Sequence, residues 1–164
     1  MKITLLAALT AIILPAATFA QDAAITVADG YARSANPKSG AAFMTLRNSG
    51  AADCTLTAVT TEAAEMAELH TTKDMGDGVM KMSKIEGGIA VPAGAEQKLE
   101  RGGDHVMLMG LTAPLENGQD LALTLDFGDC GTVAAVVPVD NDRKPEDAAP
   151  MSHGEHTMPA PATN

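Results

Sequence analysis

Tryptophan is absent from the chain, and its 164 residues include only one Tyr and three Phe. So few flat rings cannot build a stacking platform for bases or sugars. Positive charge is also short: 11 Lys and Arg stand against 21 Asp and Glu, a formal net charge of -10. A surface that acidic repels phosphate backbones, which argues against nucleic acid as a partner. It favours encounter with a cationic metal or a basic partner patch. Cysteine is limited to two residues, Cys54 and Cys130. Beyond a single N-terminal run there is no long apolar stretch, so no transmembrane span is expected in the remainder. Any core must be aliphatic. The residue in excess is Met, with 10 copies.

The N-terminus reads as an export signal. Lys2 supplies a positive start, residues 5–17 are apolar, and Thr18-Phe19-Ala20 places small residues ahead of a cleavage point. The expected signal peptide is 1–20, which leaves 164 - 20 = 144 residues. No Cys follows the apolar run, so no lipid anchor is expected at the new N-terminus, and the mature protein is expected to be periplasmic, not inserted in the membrane, and monomeric. In an oxidising compartment, two cysteines without a third predict a single disulfide between Cys54 and Cys130. On the chain-entropy model, closing so long a loop stabilises by about 4 kcal/mol. The alternative is two buried thiols on separate strands.

The mature chain reads as short strands between turn signals. The clearest strand is 119–127, where Leu121, Leu123, Leu125 and Phe127 alternate with Ala122, Thr124 and Asp126. Further strands are expected over 24–33, 42–47, 54–60 and 132–139. Residues 61–69 are rich in Ala, Glu and Met and fit either a short helix or an edge strand. Strands at this spacing predict an all-β antiparallel sandwich or barrel over 21–140. From 141 to 164 there are four prolines and almost no large aliphatic residue, which predicts a flexible tail.

The four histidines fall in two groups, each close to Met. His70 precedes Met75, Met80 and Met82, and His105 precedes Met107 and Met109. In the tail, Met151 and Met158 flank His153 and His156. Thioether sulfur is soft and suits Cu(I), and imidazole suits copper among other metals. Where thiolates are consumed in disulfides, His with Met is the remaining way to hold Cu(I). On a strand, His105 and Met107 point to one face, as do Met80 and Met82. Asp77-Gly78 suits a two-residue hairpin turn that folds the His70 segment back toward Met82. The register across that turn stays open. Met44, Met66 and Met109 read as core filler.

The segment from Leu69 to Leu111 resembles the PCuAC family of periplasmic copper chaperones. The shared words are His70, Gly78-Val-Met-Lys-Met82, Val91-Pro-Ala-Gly94 and Gly102-Gly-Asp-His-Val-Met-Leu-Met-Gly-Leu111. Weaker similarity runs from Ile25 to Val139. The resemblance implies a cupredoxin-like antiparallel Greek-key β-barrel or sandwich. It also implies Cu(I) ligation by His70, Met82, His105 and Met107, with Met80 as the alternative to Met82. Each gap between these ligands is one residue longer than the family's usual spacing. The extra residues fall near 73–77 and at Gly87-Gly88, in turns that absorb length. The implied role is delivery of copper to a cytochrome c oxidase centre, with a copper-receiving oxidase subunit or a Sco-type protein as partner. Some relatives carry a His- and Met-rich tail that binds a second copper, and Met151, His153, His156 and Met158 match it as a possible second site, where His153 and His156 with Glu155 or Asp147 suit Cu(II).

Other readings remain open at this level. A copper-tolerance or storage protein would use the same ligands. A blue-copper electron-transfer protein needs a Cys thiolate close in sequence to a His, and none follows Cys130 before the tail. A plain adhesion-type sandwich would use the Met residues as packing. No hydrolase elbow, zinc-protease motif or phosphate loop is present, so an enzyme is not expected.

Overall fold

The computed structural model describes residues 24–144. The first five strands are β1 (Ile25–Asn36), β2 (Ser39–Asn48), β3 (Cys54–Leu56), β4 (Ala58–Thr60) and β5 (Ala64–Asp74). Then follow β6 (Met80–Lys84), β7 (Ile89–Val91), β8 (Glu96–Leu99), β9 (Asp104–Leu111), β10 (Asp120–Asp126) and β11 (Thr132–Pro138). One turn of 3-10 helix, Gly128–Cys130, separates the last two strands. Among the described residues there is no α-helix. The fold is all-β, with antiparallel sheets. It is the cupredoxin-like Greek-key arrangement expected from the sequence.

The larger sheet runs β1-β2-β9-β5-β6, with β8 also paired to β2. Opposite it lie β11-β10-β4 and the short pair β3-β7. Between them sits an aliphatic core that includes Leu46, Leu56, Val91, Leu108, Leu121, Leu123, Leu125 and Val137. In β10 the alternation is carried out as written: Leu121, Leu123 and Leu125 are buried, and Ala122 and Thr124 are exposed. A β-bulge interrupts β1 between Ala28 and Tyr31. Asp29 takes φ 52° there, and Gly30 lies so close to β11 that a Cβ would run into Val137. The bulge re-aims the strand, so that Tyr31 points outward and Ala32 inward.

The segment 61–69 resolves as the edge-strand alternative. From Ala64 it forms the first part of β5, paired with β9 on one side, while β6 pairs only from His70 to Asp74. Pairing with β9 outweighs its helix-friendly composition. Cys54 and Cys130 are joined in a disulfide across 76 residues, tying β3 to the 3-10 turn before β11. Residues Asn141–Arg143, read from sequence as tail, pack onto the domain. The Asn141 side chain accepts from the Ser34 amide at 2.7 Å and donates to the Leu115 carbonyl at 3.1 Å. The Arg143 guanidinium lies 4.3 Å from the Tyr31 ring centroid. The signal segment 1–20 and the tail residues Met151, His153, His156 and Met158 lie outside the described residues.

Candidate metal centre

Strand β9 has two different faces. Val106 and Leu108 point into the core and are fully buried. His105, Met107 and Met109 point the other way, onto the outer face of the larger sheet. The register fixes what lies beside them. His70 on β5 is directly opposite His105, and Glu68 is opposite Met107. On the far side of β5, His70 is opposite Lys84, and Thr72 is opposite Met82. Directly paired residues share a face, and so do residues two apart on a strand. His70, His105, Met82 and Met107 therefore all lie on one face of one sheet.

The hairpin that brings Met82 there is not the two-residue turn expected from Asp77-Gly78. The Met75 amide donates to the Val79 carbonyl at 2.8 Å, so the connection is a wider loop. Gly76, Asp77 and Gly78 all take positive φ within it. That width sets the register that the sequence leaves open. Met80 shares the same face, opposite Asp74, two pairs further from His70 than Met82. Both are half-exposed, Met80 at 52% and Met82 at 50%. Met66 is not core filler: it is 52% exposed on the outer face of β5. Met44 is buried as expected.

The two imidazoles are only 3% exposed (His105, whole residue) and 15% exposed (His70, side chain), and their centroids are 6.0 Å apart in an edge-on arrangement. Each is held by one hydrogen bond to a group that can only accept. His105 Nδ1 donates to the Gly103 carbonyl at 3.0 Å, which leaves the lone pair of the neutral ring on Nε2. His70 Nε2 donates to the Glu68 carboxylate at 3.1 Å. His70 Nδ1 is buried with no hydrogen-bond partner. With Nε2 engaged by the carboxylate, Nδ1 is the ring atom that remains for a ligand. Glu68 also accepts from Lys84 Nζ at 2.8 Å. That bond, and then the one from His70, holds the Glu68 carboxyl below its usual range, and Lys84 is raised in turn.

Met82 and Met107 stand on opposite sides of the histidine pair. Their positions are four residues apart along β5, about 13 Å at the usual strand rise. Long unbranched thioether arms can converge from there on the imidazoles between them. Among the described residues no three of His, Cys, Asp and Glu are gathered to hold a metal. The soft or borderline donors that share this face are two imidazoles and the thioethers beside them. That is a soft, uncharged set suited to Cu(I). Both cysteines are in the disulfide, so neither supplies the thiolate of a blue-copper centre.

Several residues of this face were not singled out in the sequence. Tyr31 stacks on Phe43 at 5.0 Å, and Phe43 meets His105 at 6.0 Å. Phe43 is buried but stands outside the main core cluster. The row Tyr31, Phe43, His105, His70 and Lys84 thus crosses five strands. Glu68 was legible in principle: Glu68-Leu69-His70 has the same alternate spacing as His105-Val106-Met107.

Comparison with known proteins agrees with this architecture. The family model described as "Putative lipoprotein LpqE-like" matches residues 25–139. A curated relative, the putative lipoprotein Lxx21020 of Leifsonia xyli subsp. xyli (strain CTCB07), is 36% identical over 115 residues. That match covers 70% of this chain and 69% of the relative. The apo PCuAC domain from PmoF1 superposes with a TM-score of 0.60 at 24% identity, over 72% of this chain and 94% of that domain, which shows the shared fold. DR1885 from Deinococcus radiodurans, solved in apo and CuI forms, is 33% and 32% identical, with a TM-score of 0.56 in both cases. The apo match covers 87% of this chain and 97% of that one, and the CuI match 78% and 87%. The fold is thus PCuAC-like. The chain belongs to the LpqE-like family of putative lipoproteins. Lipoproteins are exported, in keeping with a disulfide between the two cysteines.

Proposed function

We propose that the protein is a periplasmic copper chaperone, a binding and transfer protein rather than an enzyme. It takes Cu(I) through His70, Met82, His105 and Met107. One observation carries this reading: His70 and His105 are directly paired on the outer sheet face, and His70 Nδ1 is buried with no hydrogen-bond partner. The CuI form of DR1885, 32% identical to this chain, supports copper as the cargo. Met82 is the exposed ligand, on an edge strand paired only to β5. A recipient can replace that thioether first and the buried imidazoles last, so copper passes by stepwise ligand exchange. The recipient in this reading is an oxidase subunit or a Sco-type protein. In this reading the tail stretch from Met151 to Met158 is a second copper site, where His153 and His156 with Glu155 or Asp147 take Cu(II) and raise its effective concentration near the first site.

The test is an anaerobic Cu(I) competition titration against a chromogenic chelator. The mature chain, a chain ending at Lys144 and a His105→Ala form of each are compared. The end is set at Lys144 because Asn141–Arg143 pack on the domain. One tight equivalent in both parent chains is expected, weakened at least about a hundredfold by the substitution, or about 2.7 kcal/mol. Loss of tight binding on removing the tail alone would sink the domain site.

A further inference from the structure

We infer that Glu68, held in place by Lys84, is a positioning residue that fixes His70 as an Nδ1 donor to Cu(I). The inference rests on the copper reading of the site and goes beyond its ligand list.

The two histidines are preset by different devices. His105 is fixed by a backbone carbonyl, that of Gly103. His70 is fixed by a side chain, two residues back on the same strand face. A carboxylate only accepts, so Glu68 Oε2 draws the ring proton to Nε2 and leaves the lone pair on Nδ1. The carboxylate is itself oriented from its other oxygen, where Lys84 Nζ donates at 2.8 Å. Its side chain is only 21% exposed, so this is a partly covered arrangement rather than a loose surface pair. The result is a buried, unpartnered Nδ1, which is costly to keep unless a ligand uses it.

A carboxylate behind a metal-bound imidazole fixes ring orientation and raises ring basicity. Glu68 also brings a negative charge one ring away from a monovalent cation that its four proposed ligands leave uncompensated. The same contact reaches the thioether side of the site. Lys84 and Met82 lie on one face of β6, so the Glu68–Lys84 pair holds the strand that presents Met82. One carboxylate therefore positions a buried ligand directly and an exposed ligand through its strand.

The experiment uses the full mature protein, uniformly labelled with nitrogen-15. Long-range imidazole spectra are recorded without metal and after one equivalent of Cu(I). The metal-free spectrum is expected to show the His70 proton on Nε2, and Cu(I) is expected to move the His70 Nδ1 resonance. In Glu68→Ala the His70 tautomers should mix while His105 keeps its own, and Cu(I) affinity should fall about 10–100-fold. In Glu68→Gln the amide oxygen can still accept from Nε2, so the tautomer should return, while the NH2 group now faces Lys84 and the charge is gone, so the affinity should recover only in part. A proton found on Nδ1 of metal-free His70, or Cu(I) arriving at Nε2, would overturn the inference and leave copper binding standing. So would a Glu68→Ala protein with unchanged tautomer and affinity. No response of either imidazole to Cu(I) would instead remove the copper reading, and this inference with it.

Discussion

Strands β9 and β10 are of similar length and lie on opposite sides of one core, yet they treat their outer faces differently. The outward residues Ala122 and Thr124 of β10 stand exposed. The outward residues His105, Met107 and Met109 of β9 are buried or half-buried, flanked by Phe43, His70 and Glu68. A sheet face that only meets water needs no such cover. On β9 the second face is built: His105 and the neighbouring His70 are each oriented by one hydrogen bond, and thioethers are grouped beside them. The inner faces of both strands do the same work, burying aliphatic side chains at roughly 25 cal/mol per Å².

If stability belongs to the inner faces and binding to the outer one, the two should separate by mutation. Leu123→Ala on the inner face of β10 should cost about 2–5 kcal/mol in denaturant unfolding. Cu(I) affinity of the fraction that remains folded should stay within about twofold, under 0.5 kcal/mol. Met107→Ala on the outer face of β9 should reverse this, with at least about tenfold weaker Cu(I) binding and less than about 1 kcal/mol of lost stability. Equal losses of stability in both variants would erase the distinction between the faces.

A finer separation lies within β6. Met82 is opposite Thr72, two pairs from His70, and Met80 is opposite Asp74, two pairs further out. Exposure does not distinguish them, but register does. Met82→Ala should weaken Cu(I) roughly tenfold, or about 1.4 kcal/mol, and Met80→Ala no more than about twofold. Competition titration of the two variants checks this, and the opposite ranking would hand the ligand role to Met80.

The same contrast explains what could be read from the sequence. β10 was legible because its period-two pattern answers to a single demand, an aliphatic inner face. The shared face of His105 and Met107 was legible by the same rule. The first half of β5 was legible only as one of two alternatives, because Ala, Glu and Met favour helix locally and pairing with β9 makes the segment a strand. Met66 was misread as core for a related reason: it lies on the outer side of the sheet, opposite Met109. The β5–β6 register was hidden because Asp77-Gly78 suggests a tight turn, while three successive positive-φ residues build a wider one. The covering of the outer face by Tyr31 and Phe43 depends on pairing across β1, β2 and β9, which no local pattern encodes.

Tyr31, at the far end of the row that leads to His105, gives a smaller but cleaner probe of whether this face is covered. Three arginines, Arg101, Arg143 and Arg33, act to lower the pKa of its phenol. Burial acts the other way and is the larger effect, so the phenol is held above its ordinary 10.0. The chain has one Tyr and no Trp, so phenolate absorbance reports this residue alone. The expected midpoint in the folded protein lies above 10.0, and in denaturant it returns to that value. The sign for stability follows from linkage. A group whose folded pKa is raised contributes stability that is present below its unfolded pKa and is lost as pH rises through the folded one. Unfolding free energy should therefore carry a small Tyr31-dependent decline only on the alkaline side of 10.0, absent in Tyr31→Phe. A folded-state midpoint at or below 10.0 would mean that the arginines outweigh the cover and that this end of the face is open to water, as β10's is.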